Sequence, residues 1–62
     1  MKVILRDKTT GFFYSPHGEW VLDARYAFDF GDVNRAEMFV TVERLFNVEV
    51  ILKQPQASEH GQ

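Results

Sequence analysis

The residues most capable of chemistry lie in one short stretch, SPHGEW at positions 15–20. His17 and Glu19 are an imidazole and a carboxylate two residues apart, which together can transfer protons or bind a metal ion. Trp20 beside them can hold a ligand. Catalysis normally needs a third group to orient the base, and a metal site needs further ligands at suitable spacing. None is identifiable, so the sequence favours an exposed turn histidine over a hydrolase or a metal-assisted enzyme.

Length and composition describe a small domain that lacks the usual means of stabilising itself. The 62 residues form one domain, and chains of this size bury only about 60% of the surface that their unfolded forms expose. Cysteine is absent, so disulfides and thiolate metal sites are excluded. No cofactor is indicated either. Oligomerisation is therefore the means of stabilisation that the sequence favours.

Charge and hydropathy narrow the class of protein further. Hydrophobic residues make up 45% of the chain, which is typical of a packed domain. The net charge of −2 argues against a nucleic-acid-binding protein, because such domains usually carry a basic excess. No apolar run approaches the roughly 20 residues of a membrane span, and the N-terminus has no signal-peptide pattern. We therefore expect a soluble, cytoplasmic protein.

Four strands and one helix are predicted, in the order β-β-β-α-β. The strands are residues 1–7, 12–15, 28–30 and 48–53, and the helix is residues 33–46, which contain neither glycine nor proline. Asp32 is the expected N-cap and Asn47 the expected C-cap. Residues 19–22 can briefly resume extended structure, and residues 23–27 form a turn or a single helical turn. Residues 1–54 are thus one α+β domain, and residues 55–62 are a disordered tail.

The order of these elements predicts how the strands are arranged. Three strands joined as a meander place the third strand parallel to the first. A right-handed crossover through the helix then places the fourth strand beside the first and parallel to it. The prediction is a single-layer, four-stranded mixed sheet of order 3-2-1-4, with the helix packed on one face.

The alternation of side chains leaves apolar residues on both faces of this sheet. Val3 and Leu5 share the face that the helix is expected to cover. Ile4 and Ile51, on neighbouring strands, point to the other face. Because one helix covers only one face, the side chains of these two residues are expected to remain exposed to solvent on the open sheet face.

The register of the first hairpin decides which aromatic residues join that open face. A three-residue loop at 9–11, with Gly11 at a bulge, pairs Arg6 with Tyr14. Phe12 and Tyr14 then lie on the open face and Phe13 lies in the core. A four-residue loop would shift the register by one residue and exchange these aromatic residues, and we favour the shorter loop.

The helix also has more apolar surface than one core needs. The stripe expected in the core consists of Val33, Ala36, Phe39 and Val40. A second stripe, at spacing i, i+4, i+7, consists of Met38, Val42 and Leu45. Large exposed apolar patches usually mark contact sites. A homodimer is therefore predicted, through either the open sheet face or the second stripe.

Other uses of the aromatic residues stay open at this point. Phe12 and Tyr14 beside Arg6 are typical of the stacking surfaces that bind single-stranded nucleic acids, with Trp20 as a further contact. Trp20 and Tyr26 are suited either to an aromatic platform for a ligand or to closing the end of the core. The acidic balance of the chain favours the dimer interface over nucleic-acid binding.

Several segments carry a resemblance to known proteins. KVILRDKTTGFFYS, Trp20, AFDFGDVNRA and VEVIL together resemble a group of small uncharacterised bacterial and phage proteins over residues 2–52. That resemblance implies the fold and no activity. The strand order is also similar to that of the antitoxin half of certain bacterial toxin–antitoxin pairs, although their Pro-Gly-Cys turn is missing here.

The function that these observations favour is a non-enzymatic interaction or adaptor domain. It acts as a homodimer and contacts a protein partner. A single-stranded nucleic-acid-binding module that uses the open sheet face and an antitoxin-like regulatory protein are the alternatives.

Overall fold

A computed structural model of the chain describes residues 1–54 as one four-stranded sheet with a helix on one face. The strands are β1 Lys2–Asp7, β2 Phe13–Tyr14, β3 Trp20–Val21 and β4 Val48–Lys53; the helix α1 is Val33–Glu43, and a 3-10 turn spans Ala24–Tyr26. The predicted element order and the strand order 3-2-1-4 are confirmed. Within these residues no helix has the length and apolar composition that crossing a membrane requires. The tail predicted at residues 55–62 lies outside the described residues.

The sheet is antiparallel throughout, so the predicted mixed sheet with parallel β1 and β4 is wrong. The error begins at residues 28–30, which were expected to form the third strand, whereas β3 lies at Trp20–Val21. After β3 the chain returns to the end of the sheet where β1 begins, and there the N–H of Phe30 donates to the carbonyl of Val3 at 2.8 Å. α1 therefore runs in the direction of β1. At the other end of the sheet the Lys8 N–H donates to the Asn47 carbonyl at 2.8 Å, and β4 must run back from that point.

The loop between β1 and β2 contains four residues, 8–11, and Asp7 determines its length. The Asp7 N–H donates to the carbonyl of Phe12 at 2.8 Å, and the Asp7 carbonyl accepts from the N–H of Gly11 at 2.7 Å. The Asp7 carboxylate also accepts from the N–H of Thr9 at 2.7 Å. These bonds close the loop at Asp7 rather than one residue later. The predicted three-residue loop is therefore wrong.

This loop length exchanges the faces of the aromatic residues in β2. Arg6 pairs with Phe13 instead of Tyr14. Phe13 therefore shares a face with Arg6 and Ile4, while Tyr14 packs against the core under the helix. The prediction that Tyr14 faces outwards and Phe13 inwards is wrong for this reason.

The core under α1 brings together residues from β1, the helix and the segment before the helix. Its buried members are Val3, Leu5, Phe30 and Ala36. The half-buried hydrophobic residues around them are Tyr14, Phe39, Val40, Leu45 and Val50. Two helix predictions need correction. Val33, expected in the core, is 37% exposed, and Leu45, expected on the outer stripe, packs against the core because the chain bends back after the last helical turn.

The second face of the sheet is covered, contrary to the prediction. Ile4 is 0% exposed, although it does not belong to the cluster under the helix. Ala24 and Arg25 line the same depression as Lys2 and Lys53, which share the face of Ile4 by strand alternation. Residues 22–27, the return segment between β3 and the approach to α1, therefore lie beside this face, and Ala27 within them is buried. We infer that this segment covers Ile4, since the helix lies on the other face.

Two aspartates attach the start of α1 to the sheet. Asp29 Oδ1 accepts from the N–H of Val3 at 3.0 Å and from the N–H of Gly31 at 2.9 Å. Asp32 is the N-cap, as predicted, since its Oδ1 accepts from the N–H of Arg35 at 2.8 Å. A carboxylate at each of these points satisfies amides that no strand or helix bond uses.

The Asp29 carboxylate makes the stability of the fold depend on pH. The N–H groups of Val3 and Gly31 lower the pKa of Asp29 below its ordinary value of 3.8. A carboxyl group with a lowered folded-state pKa stabilises the fold above its unfolded-state pKa, and this contribution is lost as the pH falls through the folded-state pKa. We expect the free energy of unfolding to fall below about pH 4 more steeply in the native chain than in Asp29→Asn.

Urea unfolding followed by circular dichroism between pH 2.5 and pH 7 measures this difference. Glu37→Gln, which removes the same charge from an exposed position on α1, is the control and should keep the native pH profile. Parallel profiles for the native chain and Asp29→Asn would show that the Asp29 carboxylate does not anchor β1.

The helix ends earlier than predicted, and a residue with a side chain occupies the left-handed position. α1 stops at Glu43, and Arg44 has φ 56°. The N–H of Leu45 then donates to the carbonyl of Val40 at 3.0 Å, which is the bond pattern of a glycine-type helix end. Asn47, the predicted C-cap, lies in the connection to β4 and also adopts a left-handed conformation, with φ 60°.

Replacing Arg44 by glycine should stabilise the fold. A side chain in the left-handed region costs about 1–2 kcal/mol, and glycine avoids most of that cost. We expect Arg44→Gly to raise the free energy of unfolding by about 1 kcal/mol in urea titrations. Arg44→Ala, which loses the same charge but keeps Cβ, should stay close to the native value. An equal gain in both variants would assign the effect to charge instead of backbone conformation.

Candidate interaction site

An apolar concavity lies between α1 and the end of β2. This helix-side groove has a volume of about 500 Å³. Its lining residues are Tyr14, Pro16, Phe28, Phe30, Arg35, Met38, Phe39 and Val42. Of these, Arg35 alone carries a formal charge. Volumes in this range are typical of pockets that enclose a small ligand or a few side chains of another protein.

Four aromatic rings in tilted or edge-to-face contact form the floor of the helix-side groove. The ring centroids of Tyr14 and Phe39 lie 4.9 Å apart, those of Phe30 and Phe39 5.2 Å apart, and those of Phe28 and Phe30 4.7 Å apart. The N–H of Phe28 donates to the carbonyl of Tyr14 at 2.7 Å, which fixes the segment 28–30 against β2. The floor is therefore held by both ring contacts and a backbone bond.

The rim of the groove is formed by one exposed side of α1. Met38 is 67% exposed and Val42 is 68% exposed, one helical turn apart. Arg35, one turn earlier, is held only loosely: its Nε lies 3.7 Å from Asp32 Oδ2, and its side chain is 78% exposed. The rim therefore offers an adaptable methionine, a branched aliphatic side chain and a cation that is accessible to an incoming carboxylate.

Part of this site follows from the sequence and part does not. Met38 and Val42 are the exposed residues of the predicted second stripe. Phe28, Pro16 and Arg35 were not expected to join them. The alternation of Phe28 and Phe30 around Asp29 was the available signal, since it places both rings on one side of the segment.

The predicted open sheet face does not exist as one surface. Ile4 is fully buried, and Ile51 is half-buried. Tyr14 packs under the helix, whereas Arg6 lies on the opposite face in a 2.6 Å ion pair with a β4 carboxylate. Phe12 is 36% exposed beside the first loop. The stacking platform predicted for a single-stranded nucleic acid is therefore not assembled.

The corner that contains His17 is a tight hairpin turn. Ser15 and Glu19 face each other across it: the Ser15 N–H donates to the Glu19 carbonyl at 2.8 Å, and the Glu19 N–H donates to Ser15 Oγ at 3.2 Å. Gly18 has φ 82°, which is the left-handed position of a three-residue loop with a bulge. The turn type predicted for the first hairpin is therefore found in the second, with His17 at its exposed tip.

His17 and Glu19 line a shallow depression together with Arg25 and Tyr26. Arg25 Nη2 lies 2.7 Å from the carboxylate of Asp23, and this contact lowers the pKa of Asp23. The depression therefore contains an arginine that is already neutralised. Among residues 1–54, no cluster of three His, Cys, Asp or Glu side chains is suited to hold a metal ion.

Trp20, the third residue of the predicted ligand corner, turns away from His17. Its ring packs edge-on against Tyr14, with the centroids 5.5 Å apart. Trp20 is half-buried in this contact, so it closes the end of the aromatic cluster. Tyr26, its predicted partner in a platform, is 63% exposed and lies beside the guanidinium of Arg25.

No family model, curated protein sequence or solved structure matches this chain significantly. The resemblance to small bacterial and phage proteins and to antitoxins therefore stays a prediction from the sequence. The helix-side groove, with its aromatic floor and its exposed Met38 and Val42, is the feature of this chain that bears most directly on function.

Proposed function

We propose that the protein is a small, non-enzymatic interaction domain of the cytoplasm, which acts as a homodimer and binds a partner protein in its helix-side groove. One observation carries the proposal, namely the balance between buried and exposed apolar residues. Within residues 1–54, six hydrophobic residues are buried, whereas ten large hydrophobic residues are at least 36% exposed. An apolar surface that exceeds the core in this way is typical of a protein that works by contact.

The homodimer follows from the size of the core. Two of the six buried hydrophobic residues are alanines, Ala27 and Ala36, so only four large hydrophobic side chains of the described residues are buried. Burial contributes about 25 cal/mol per Å² of apolar surface, and a second chain adds this contribution without lengthening the polypeptide. A symmetric pair is the simplest assembly that achieves this.

The groove fits a short apolar segment of another protein that carries a carboxylate. Its aromatic floor and the Met38–Val42 rim match aliphatic or aromatic side chains. Arg35 at the edge provides the charge that would pair with an aspartate or glutamate. Methionine at the rim suits such recognition because its flexible thioether adapts to different side chains.

Selection from a random-peptide display library tests the proposed groove on the full-length protein. We expect the enriched peptides to combine two or more large apolar residues with an acidic residue. Val42→Asp places a carboxylate in the apolar rim. Because this charge has the same sign as the acidic residue of the peptides, the substitution should weaken their binding at least tenfold. Arg35→Gln should reduce the affinity for the acidic peptides by a smaller factor.

Thr41→Asp is the matched control, because it adds the same charge to an exposed neighbouring position of α1 that does not line the groove. It should bind the selected peptides as the native chain does. Failure to enrich any such peptide, or equal binding to native and Val42→Asp protein, would exclude the helix-side groove as the binding surface.

A further inference from the structure

β4 is an edge strand, and in residues 1–54 its outer side has no partner. The strand order places β4 at one end of the sheet beside β1 alone. It is six residues long, Val48–Lys53, and contains neither proline nor glycine. Natural proteins usually block a long edge with proline, a bulge, a covering loop or charged side chains, because its unpaired backbone groups can pair with another chain. Of these devices β4 has only charged side chains within the described residues, Glu49 and Lys53, and they have opposite signs. This edge is therefore a candidate docking surface for a further strand.

Hydrogen bonds on the other side of β1 determine which backbone groups point towards β4. Val3 donates to Asp29 Oδ1 at 3.0 Å and accepts from the N–H of Phe30 at 2.8 Å. Asp7 donates to the carbonyl of Phe12 at 2.8 Å. Odd-numbered residues of β1 therefore direct their backbone groups away from β4. Because the direction alternates along a strand, even-numbered residues direct theirs towards β4.

The register of β1 with β4 then identifies the outward-facing groups of the edge. Ile4 pairs with Ile51, so in β4 the odd-numbered residues bond to β1. The N–H and C=O groups of Val48, Val50 and Leu52 consequently face away from the sheet. The side chain of Leu52 is also 51% exposed. The edge thus offers both backbone hydrogen bonds and apolar area.

A second copy of the chain has the charges that fit this edge. When two β4 strands pair antiparallel about a twofold axis at Ile51, Val50 of one chain faces Leu52 of the other. Both residues are outward-facing, as the ladder requires, so they exchange backbone hydrogen bonds. Glu49 then lies directly opposite Lys53 of the partner, and the axis repeats this pair of opposite charges.

The single chain leaves Lys53 beside a like charge. Lys53 stands directly opposite Lys2 in the β1–β4 ladder, an arrangement that destabilises a sheet. Glu49 pairs with Arg6 at 2.6 Å but its side chain remains 36% exposed, so it can accept a second cation. In the register above, the carboxylate of the partner's Glu49 approaches Lys53 and offsets this repulsion.

We infer that β4 forms the homodimer by pairing antiparallel with β4 of a second copy, in the register that sets Glu49 opposite Lys53. The inference rests on the homodimer of the proposed function and names the surface that makes it. Pairing at this edge joins the two sheets into one. It also covers Leu52 with Val50 of the partner.

This arrangement leaves the helix-side grooves available. The twofold axis is perpendicular to the joined sheet, so both α1 helices lie on the same face. Each groove is bounded by Tyr14 and Pro16 at the β2 side of its helix, away from β4. The dimer therefore presents two apolar grooves on one face, and a partner with two suitable segments gains avidity.

Lys53→Glu is the sharpest test, because it acts in opposite directions on the chain and on the dimer. Within one chain it replaces the Lys2–Lys53 repulsion by an attraction, so the midpoint of unfolding should rise at concentrations where the protein is monomeric. Between the two paired β4 strands, here called the β4 seam, the substitution sets a glutamate at position 53 opposite Glu49 of the other copy. We expect the dissociation constant of the dimer to rise about tenfold or more at low salt. Sedimentation equilibrium measures that constant.

Leu52→Pro tests the backbone pairing independently of charge. The N–H of Leu52 faces outwards, so proline there removes no bond to β1, and proline is tolerated at such edge positions. We expect a folded chain by circular dichroism that no longer dimerises. Lys8→Glu, which makes the same charge change in the first loop, is the control and should dimerise as the native chain does.

The outcomes separate this inference from the function on which it rests. A native chain that is monomeric at all concentrations contradicts both the homodimer and the β4 seam. A native dimer whose affinity is unchanged by Lys53→Glu and Leu52→Pro keeps the homodimer but moves its interface elsewhere. Weakened dimerisation in both variants, with the Lys53→Glu chain itself more stable, is the result that the β4 seam requires.

Discussion

Replacing Phe30 by alanine is expected to leave most of the chain unfolded at 25 °C. Phe30 is only 8% exposed, and its ring contacts the rings of Tyr14, Phe28 and Phe39. Removing a buried phenylalanine side chain costs about 3–5 kcal/mol. A core of this size rarely supplies more than about 3–5 kcal/mol of net stability. Circular dichroism and a urea titration measure the loss directly.

Phe28→Ala is the matched comparison, because it removes the same atoms from a neighbouring ring that is 38% exposed. We expect that variant to stay folded and to lose about 1–2 kcal/mol, since less of its surface leaves water on folding. Equal unfolding midpoints for the two variants would mean that the segment 28–30 does not direct Phe30 into the core.

Replacing Ile4 by alanine is expected to destabilise the fold by about 2–5 kcal/mol, the range for a fully buried aliphatic side chain. This effect depends on the return segment, because α1 covers the other face of the sheet. Urea titration of the variant gives the value. If residues 22–27 did not lie over the second face, Ile4 would be open to solvent and the loss would be small.

Leu22→Ala provides the control for this measurement. Leu22 lies in the return segment and is 74% exposed, so a deletion of similar size there should cost less than about 0.5 kcal/mol. An Ile4→Ala variant as mild as Leu22→Ala would contradict the covering role of the return segment.

The buried position of Ile4 changes where the unused apolar surface of this chain lies. The sequence suggests that the sheet has an open face and that self-association covers it. Ile4 is buried there, and four of the ten exposed large hydrophobic residues of the described chain lie at the helix-side groove or on β4, namely Phe28, Met38, Val42 and Leu52. The surfaces on which we base the proposed contacts are therefore Met38 and Val42 on α1 and Leu52 on the sheet edge.

The parts of the fold that were predicted correctly are those with local causes. Asp32 caps α1 through its own carboxylate, and the helix extends from there because residues 33–43 contain no glycine or proline. β1 and β4 are rich in β-branched and aliphatic residues and end at polar or turn residues. Each of these signals lies within a few residues of the feature that it determines, so one sequence is enough to identify it.

The parts that were missed depend on contacts between distant residues or on small energy differences. The first hairpin differs from the prediction by one residue, because the Asp7 carboxylate organises a longer loop that is not distinguishable by composition. The place of residues 28–30 depends on Val3, 26 positions away, whose N–H is accepted by Asp29. Arg44 occupies a left-handed position that residue type alone assigns to Asn47.

The mass of the native protein in solution decides whether the chain forms the proposed homodimer. The chain has a mass of 7.2 kDa, and its apolar surface beyond the core predicts that it pairs with a second copy. Sedimentation equilibrium across the micromolar range should therefore approach twice that mass, with a reversible shift towards the single-chain mass on dilution. A folded species that stays at 7.2 kDa throughout would contradict the proposal that this chain works as a homodimer.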